Sequence, residues 1–157
     1  MSEPSASHLN LENAIESVID CLIDAQNVLR NIGEELQNPT LKLHFLDESL
    51  VRAEFRGSLE SILHHEGVHD IEEGGSVTAK LNRAWGELKA RLGGGDQSLL
   101  ETAEKNQLAT SKAYTQALQQ ELPLPVRQTL VSQSVHIQLF VEYIHTVRKI
   151  DKALSGN

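Results

Sequence analysis

The chain is short of cysteine, of proline and of positive charge, and each shortage excludes something. Cys21 is the only cysteine in 157 residues. It rules out an intramolecular disulfide and a Cys-x-x-Cys metal site, and it suits a reducing compartment, so a cytoplasmic protein is expected. Lys and Arg number 14 against 22 Asp and Glu, a formal charge of −8. That acidic balance argues against a nucleic-acid partner, which needs a clustered basic face. No apolar run approaches the ~18 residues of a membrane span, so no membrane partner is expected. Residues 1–8 read as a flexible N-terminus. Met1-Ser2-Glu3-Pro4-Ser5-Ala6-Ser7 has neither a basic nor an apolar region of the kind a secretory signal carries.

Only four prolines occur, Pro4, Pro39, Pro123 and Pro125. Glycine gathers at Gly74-Gly75 and Gly93-Gly94-Gly95. Both residues break helices, so they mark boundaries between long uninterrupted stretches. No run alternates with period 2, which predicts no strand, and no repeat of solenoid length is present.

What remains is apolar enough, at 39%, to build one core. A chain of ~150 residues buries roughly 70% of its unfolded surface, which suits a single domain over residues 9–154. Leu11, Ile15, Val18, Leu22, Ala25, Leu29, Ile32 and Leu36 step by three or four, predicting a helix over 9–36 with one buried stripe. Asn38-Pro39 reads as an N-cap followed by Pro at the first helical position, opening a second helix over 39–66. So short a connection makes the two an antiparallel hairpin. A shorter amphipathic helix is predicted over 77–92, with Trp85 as a packing anchor. Two more helices follow, over 97–120, with Asp96 as its cap, and 126–154, separated by the break at Leu122-Pro123-Leu124-Pro125. Two hairpins joined by one long crossover make an all-α, ferritin-like four-helix bundle, with the short helix riding in the crossover.

The residues Asn38-Pro39-Thr40-Leu41-Lys42 with Phe45, Arg52-Ala53-Glu54-Phe55, Trp85 with Leu88-Lys89-Ala90, Lys112-Ala113-Tyr114 and Leu122-Pro123 carry a resemblance. In their order and spacing the chain resembles the small bacterial ferritin-like four-helix-bundle domain family of unknown function. The resemblance runs from about Leu11 to Leu154. It implies the fold and no established activity or substrate. The resemblance implies Gly-Glu-Asp where this chain has Asn106-Gln107-Leu108, and Glu at the position of His136. Both departures remove negative charge.

Ferritin-like dimetal proteins place a Glu on each of two helices and Glu-x-x-His on each of the other two, all facing inward. Glu66-Gly67-Val68-His69 and Glu142-Tyr143-Ile144-His145 match the string. With Ile137 at 0°, Glu142 falls at ~140°, away from the apolar arc, so it faces solvent. Glu66 and His69 fall where the second helix gives way to a Gly-containing loop. His65-Glu66-Gly67-Val68-His69 also matches the zincin pattern, but Gly67 interrupts the helix that pattern needs. His64, His65 and His69 remain a cluster able to take up metal adventitiously.

Helical wheels point other polar residues inward. Matching levels from the turns places Gln26, Glu48, Gln107 and His136 in one buried polar layer, with Arg52, Thr110 and Gln133 in the next. Glu48 and Arg52 are spaced to pair at i,i+4. One carboxylate is too few for a di-iron centre. The expectation is therefore a satisfied polar core with no cofactor. The alternative is one iron or zinc on His44, Glu48 and His136. Cys21 reads as a small core residue on the flank of the first helix. Leu46, Leu50, Val131 and Val135 extend beyond the core stripes, which points to a homo-oligomer. The functional expectation is a non-enzymatic structural or protein-interaction bundle. The alternative is a metal-binding protein or oxidoreductase.

Overall fold

The computed structural model describes residues 6–65, 67, 83, 85–87, 89 and 95–155. It is all-α: α1 (Ala6–Glu35), α2 (Pro39–His65), α3 (Asp96–Leu118) and α4 (Leu124–Ser155), with no strand among the described residues. α1 takes in residues 6–8, which the sequence leaves to the N-terminal tail. α4 starts at Leu124, two residues earlier than the periodicity predicts. Pro125 then lies in the first turn, where a missing N–H costs no intrahelical bond. Of the short crossover helix, Arg83, Trp85–Glu87 and Lys89 are helical, and the rest lies outside the described residues.

Local chemistry sets each boundary. Asn38 Oδ1 accepts from the backbone N–H of Thr40 at 2.9 Å and of Leu41 at 3.1 Å, capping α2 ahead of Pro39. Asp96 does not cap α3. Gly95 occupies the cap position at φ 103°, a conformation glycine adopts without strain. The Asp96 carboxylate instead accepts from the backbone N–H of Gln37 (2.9 Å) and Asn38 (3.1 Å). These two bonds fix the start of α3 beside the α1–α2 turn. Gln97 Nε2 donates to Asp151 at 2.7 Å, bringing the end of α4 to the same end. α2 and α3 therefore run one way, and α1 and α4 the other.

α1 packs closely on α2 and on α3, and α3 packs on α4. The α2 and α4 backbones stand farther apart, and large side chains bridge that seam. Gly33 of α1 permits one close approach: a Cβ there would lie 3.0 Å from Leu46 Cδ2. Leu46 is consequently half-buried against α1 rather than exposed. Leu50, Val131 and Val135 are exposed.

The interior consists of two apolar clusters with a polar level between them. One cluster joins Ile15, Val18 and Leu22 to Leu59, Leu63, Tyr114, Val126 and Leu130. The other joins Leu29 and Ile32 to Phe45, Leu100, Phe140 and Ile144. Trp85 packs half-buried on the second cluster, and Lys89 Nζ reaches Glu35 at 2.7 Å, tying the crossover to α1.

Candidate functional site

On α2, His44, Glu48 and Arg52 recur at four-residue intervals, so they form one row along the helix. The row ends in Arg52, among the largest fully buried side chains of the described residues, at 0% exposure. Its guanidinium spends three N–H groups on two partners. Nη1 donates to Glu48 Oε2 at 2.8 Å. Nε and Nη2 both donate to Gln107 Oε1, at 3.1 and 2.8 Å. The ring centroids of Phe140 and Phe55 lie 5.4 and 5.9 Å from its Cζ, within cation–π range. Burial pushes the Arg52 pKa down and Glu48 opposes that shift. A guanidinium starts so high that it stays charged.

The network extends to both sides of this pair. Glu48 meets His136 Nε2 at 3.0 Å and His44 Nε2 at 3.8 Å. On the other side, Gln107 Nε2 donates to Asn106 Oδ1 at 2.9 Å, and Asn106 Nδ2 donates to Asp24 Oδ2 at 2.8 Å. A continuous chain of bonds thus crosses the protein from Asp24 on α1 to His136 on α4. One turn along, Tyr114 donates to Gln133 Oε1 at 2.7 Å, and Gln133 Nε2 donates to the Phe55 carbonyl at 3.3 Å. Burial raises the Tyr114 hydroxyl pKa far above its usual range, so it remains a donor.

Glu48, Arg52, Gln107, Thr110 and Gln133 are all buried at this level. Thr110 donates to the Asn106 carbonyl one turn back, at 3.1 Å. Two expected members are only partly buried. The His136 side chain is 42% exposed, at the rim of the layer. Gln26 is half-buried and makes none of the layer's bonds. The small Ala25, one residue and ~100° away, faces the core there instead. Asn106 and Asp24 are members that inward-facing wheel positions alone do not reveal, because they act across seams.

His44, Glu48 and His136 line a cleft of about 210 Å³ with Leu139, Phe140 and Tyr143. Their donors suit iron or zinc in type, yet a cation here would face the Arg52 guanidinium across the one carboxylate they share. Among the described residues no group of three or more His, Cys, Asp and Glu is arranged to hold a metal ion.

The remaining sequence candidates fall elsewhere. Glu142 is exposed. His145 pairs through Nδ1 with Glu104 Oε1 at 3.0 Å. His64 and His65 are exposed in the last turn of α2, while Glu66 and His69 lie outside the described residues. α2 ends at His65, and Gly67 turns to φ 91°, so no intact helix carries the zincin-like string. The Cys21 thiol is half-buried and its pKa is raised, first by burial and then by Asp24 and Asp20, which disfavours a reactive thiolate. No described helix is long and apolar enough to cross a membrane.

No curated protein matches this chain at a significant level. A family model does match, over residues 10–120, taking in Glu48, Arg52 and Gln107 and leaving α4 with His136 outside. That family is DUF2383, a domain of unknown function, and the chain belongs to it.

Proposed function

We propose that the protein is a ferritin-like four-helix bundle in which a charge-balanced polar layer replaces a dimetal centre. In this proposal it works in the cytoplasm through contacts with copies of itself, as a structural or interaction protein and not as a catalyst. The helix directions support the topology: neighbouring helices run antiparallel, and a long crossover joins α2 to the parallel α3. The observation that carries the reading is the wholly buried Arg52 guanidinium, bonded to Glu48 and Gln107. A fixed cation in that position supplies the charge that metal ions supply in a carboxylate-rich centre. Exposed Leu43, Leu50, Val131, Val135 and Leu139 support self-association, since exposed apolar patches mark contacts. Sedimentation over a range of concentrations tests it: a concentration-dependent oligomer is expected, and a clean monomer at high concentration removes the self-association.

One arrangement favours a second reading, a metal-binding protein or oxidoreductase using iron or zinc. His44 and His136 both direct Nε2 at Glu48. Metal analysis of untagged protein, alongside a His64/His65/His69 triple substitution, separates the two readings. Metal retained by the triple variant and lost on Glu48→Gln supports the second. Metal lost with the triple variant belongs to His64, His65 and His69.

A further inference from the structure

Near its C-terminus α4 reads His145-Thr146-Val147-Arg148-Lys149-Ile150-Asp151-Lys152. His145, Arg148, Lys149 and Lys152 fall at i, i+3, i+4 and i+7, so they share one face of the helix. Like charges at that spacing repel one another. With Gln97 of α3 these four residues line a cleft of about 170 Å³, and no carboxylate is among the lining residues. The two acidic groups nearby are already engaged. Glu104 binds His145 Nδ1 and Arg148 Nη1. Asp151 accepts from Gln97 Nε2. Lys149 and Lys152 are exposed and take part in none of the ion pairs among the described residues. Arg148 Nε is buried without a hydrogen-bond partner.

We propose that this cleft binds a phosphate-type oxyanion. Glu104 acts as the anchor: it is 13% exposed and holds both the imidazole and the guanidinium against α3. Because Nδ1 is committed to Glu104, the His145 Nε2 is left for the cleft. The Nε2 of His145 and the two lysine ammonium groups face a bound anion together, and the lysines supply charge-assisted bonds. The volume is several times the ~30 Å³ of one water, which accommodates a phosphoryl group. In a chain of net charge −8, such a cleft is a local reversal of sign. The site is independent of the polar layer and of whether the protein self-associates.

Calorimetric titration of the untagged full chain at constant ionic strength tests the proposal, with inorganic phosphate in one arm and adenosine monophosphate in the other. One saturable site is expected. Lys149→Gln with Lys152→Gln should weaken it at least about tenfold, since two charge-assisted contacts are lost. Lys112→Gln, an exposed lysine on α3, should leave it unchanged. Equal affinity in the two arms identifies free phosphate as the ligand, and tighter binding of the nucleotide identifies a phosphoryl group on a larger molecule. Both substitutions of the pair are on exposed positions, and circular dichroism checks that the fold is kept. Absence of saturable binding in both arms, or equal binding by the double variant, overturns the proposal.

Discussion

Two places in this protein use the same three residue types in the same way. Glu48 is shared between Arg52 and His136, and Glu104 between Arg148 and His145. The carboxylates are nearly equally covered, with side chains 10% and 13% exposed. The arginines are not: the Arg52 side chain is 0% exposed and the Arg148 side chain 29%. The position of the cation sets the difference. Arg52 lies between two apolar clusters, where nothing but protein can satisfy it. Arg148 lies at a seam beside an open cleft, which leaves part of its guanidinium within reach of water and added ions. One triad is thereby a structural element and the other a candidate binding site.

The largest effect should come from breaking the buried triad. Arg52→Met leaves Glu48 without its buried cation and should cost roughly 3–5 kcal/mol in a urea melt. The double change Glu48→Gln with Arg52→Met should recover much of that loss, because no charge is then left buried. A cost below ~1 kcal/mol for the single change would place Arg52 in effective contact with water and erase the contrast. A metal ligand has a separate signature. Glu48→Gln would then lower the stability of metal-loaded protein and leave chelated protein nearly unchanged.

Tyr114→Phe removes a neutral donor one turn away. Gln133 Oε1 loses its bond in a buried place, so the expected cost is ~1–3 kcal/mol, with little change on adding salt. The contrasting variant is Arg148→Met. Because Arg148 is itself partly exposed and His145 still holds Glu104, it should cost no more than ~1 kcal/mol, and the cost should shrink as salt screens the pair. Equal costs for Arg52→Met and Arg148→Met would show that exposure of the arginine is not what separates the two sites.

Spacing makes much of this legible in the sequence, and contact geometry accounts for the rest. The cap at Asn38-Pro39 is readable because capping is local chemistry within four residues. The row His44, Glu48, Arg52 is readable because i,i+4 spacing follows from the helix itself. What spacing does not carry is partnership between helices. Asn106 and Asp24 stand 82 residues apart, and both lie off the centre of their apolar stripes. Glu104 is placed the same way at the α3–α4 seam. Gln26 misleads because a single residue turns the helix by ~100°, and Ala25 takes the inward position. Leu46 misleads for another reason: its burial depends on Gly33 in a different helix, which lets α1 come close.

The smallest effect tests the far end of the buried triad's bond chain. Asp24 accepts from Asn106, and through Gln107 it is linked to Arg52. Burial raises the Asp24 pKa, and the Asn106 bond only partly opposes this. A carboxyl whose folded pKa is raised binds more protons folded than unfolded. Stability from this group therefore falls as pH climbs from the unfolded value, ~3.9, to the raised folded value, and stays low above both. Asp24→Asn keeps an acceptor for Asn106 and removes the charge. It should leave stability unchanged near pH 3 and raise it at pH 7 by less than ~1 kcal/mol. Paired urea melts at the two pH values read the difference. If Asp24→Asn instead destabilises at pH 7, the negative charge is favourable there. Arg52 would then feel both carboxylates along the chain, and the buried triad would extend across all four helices.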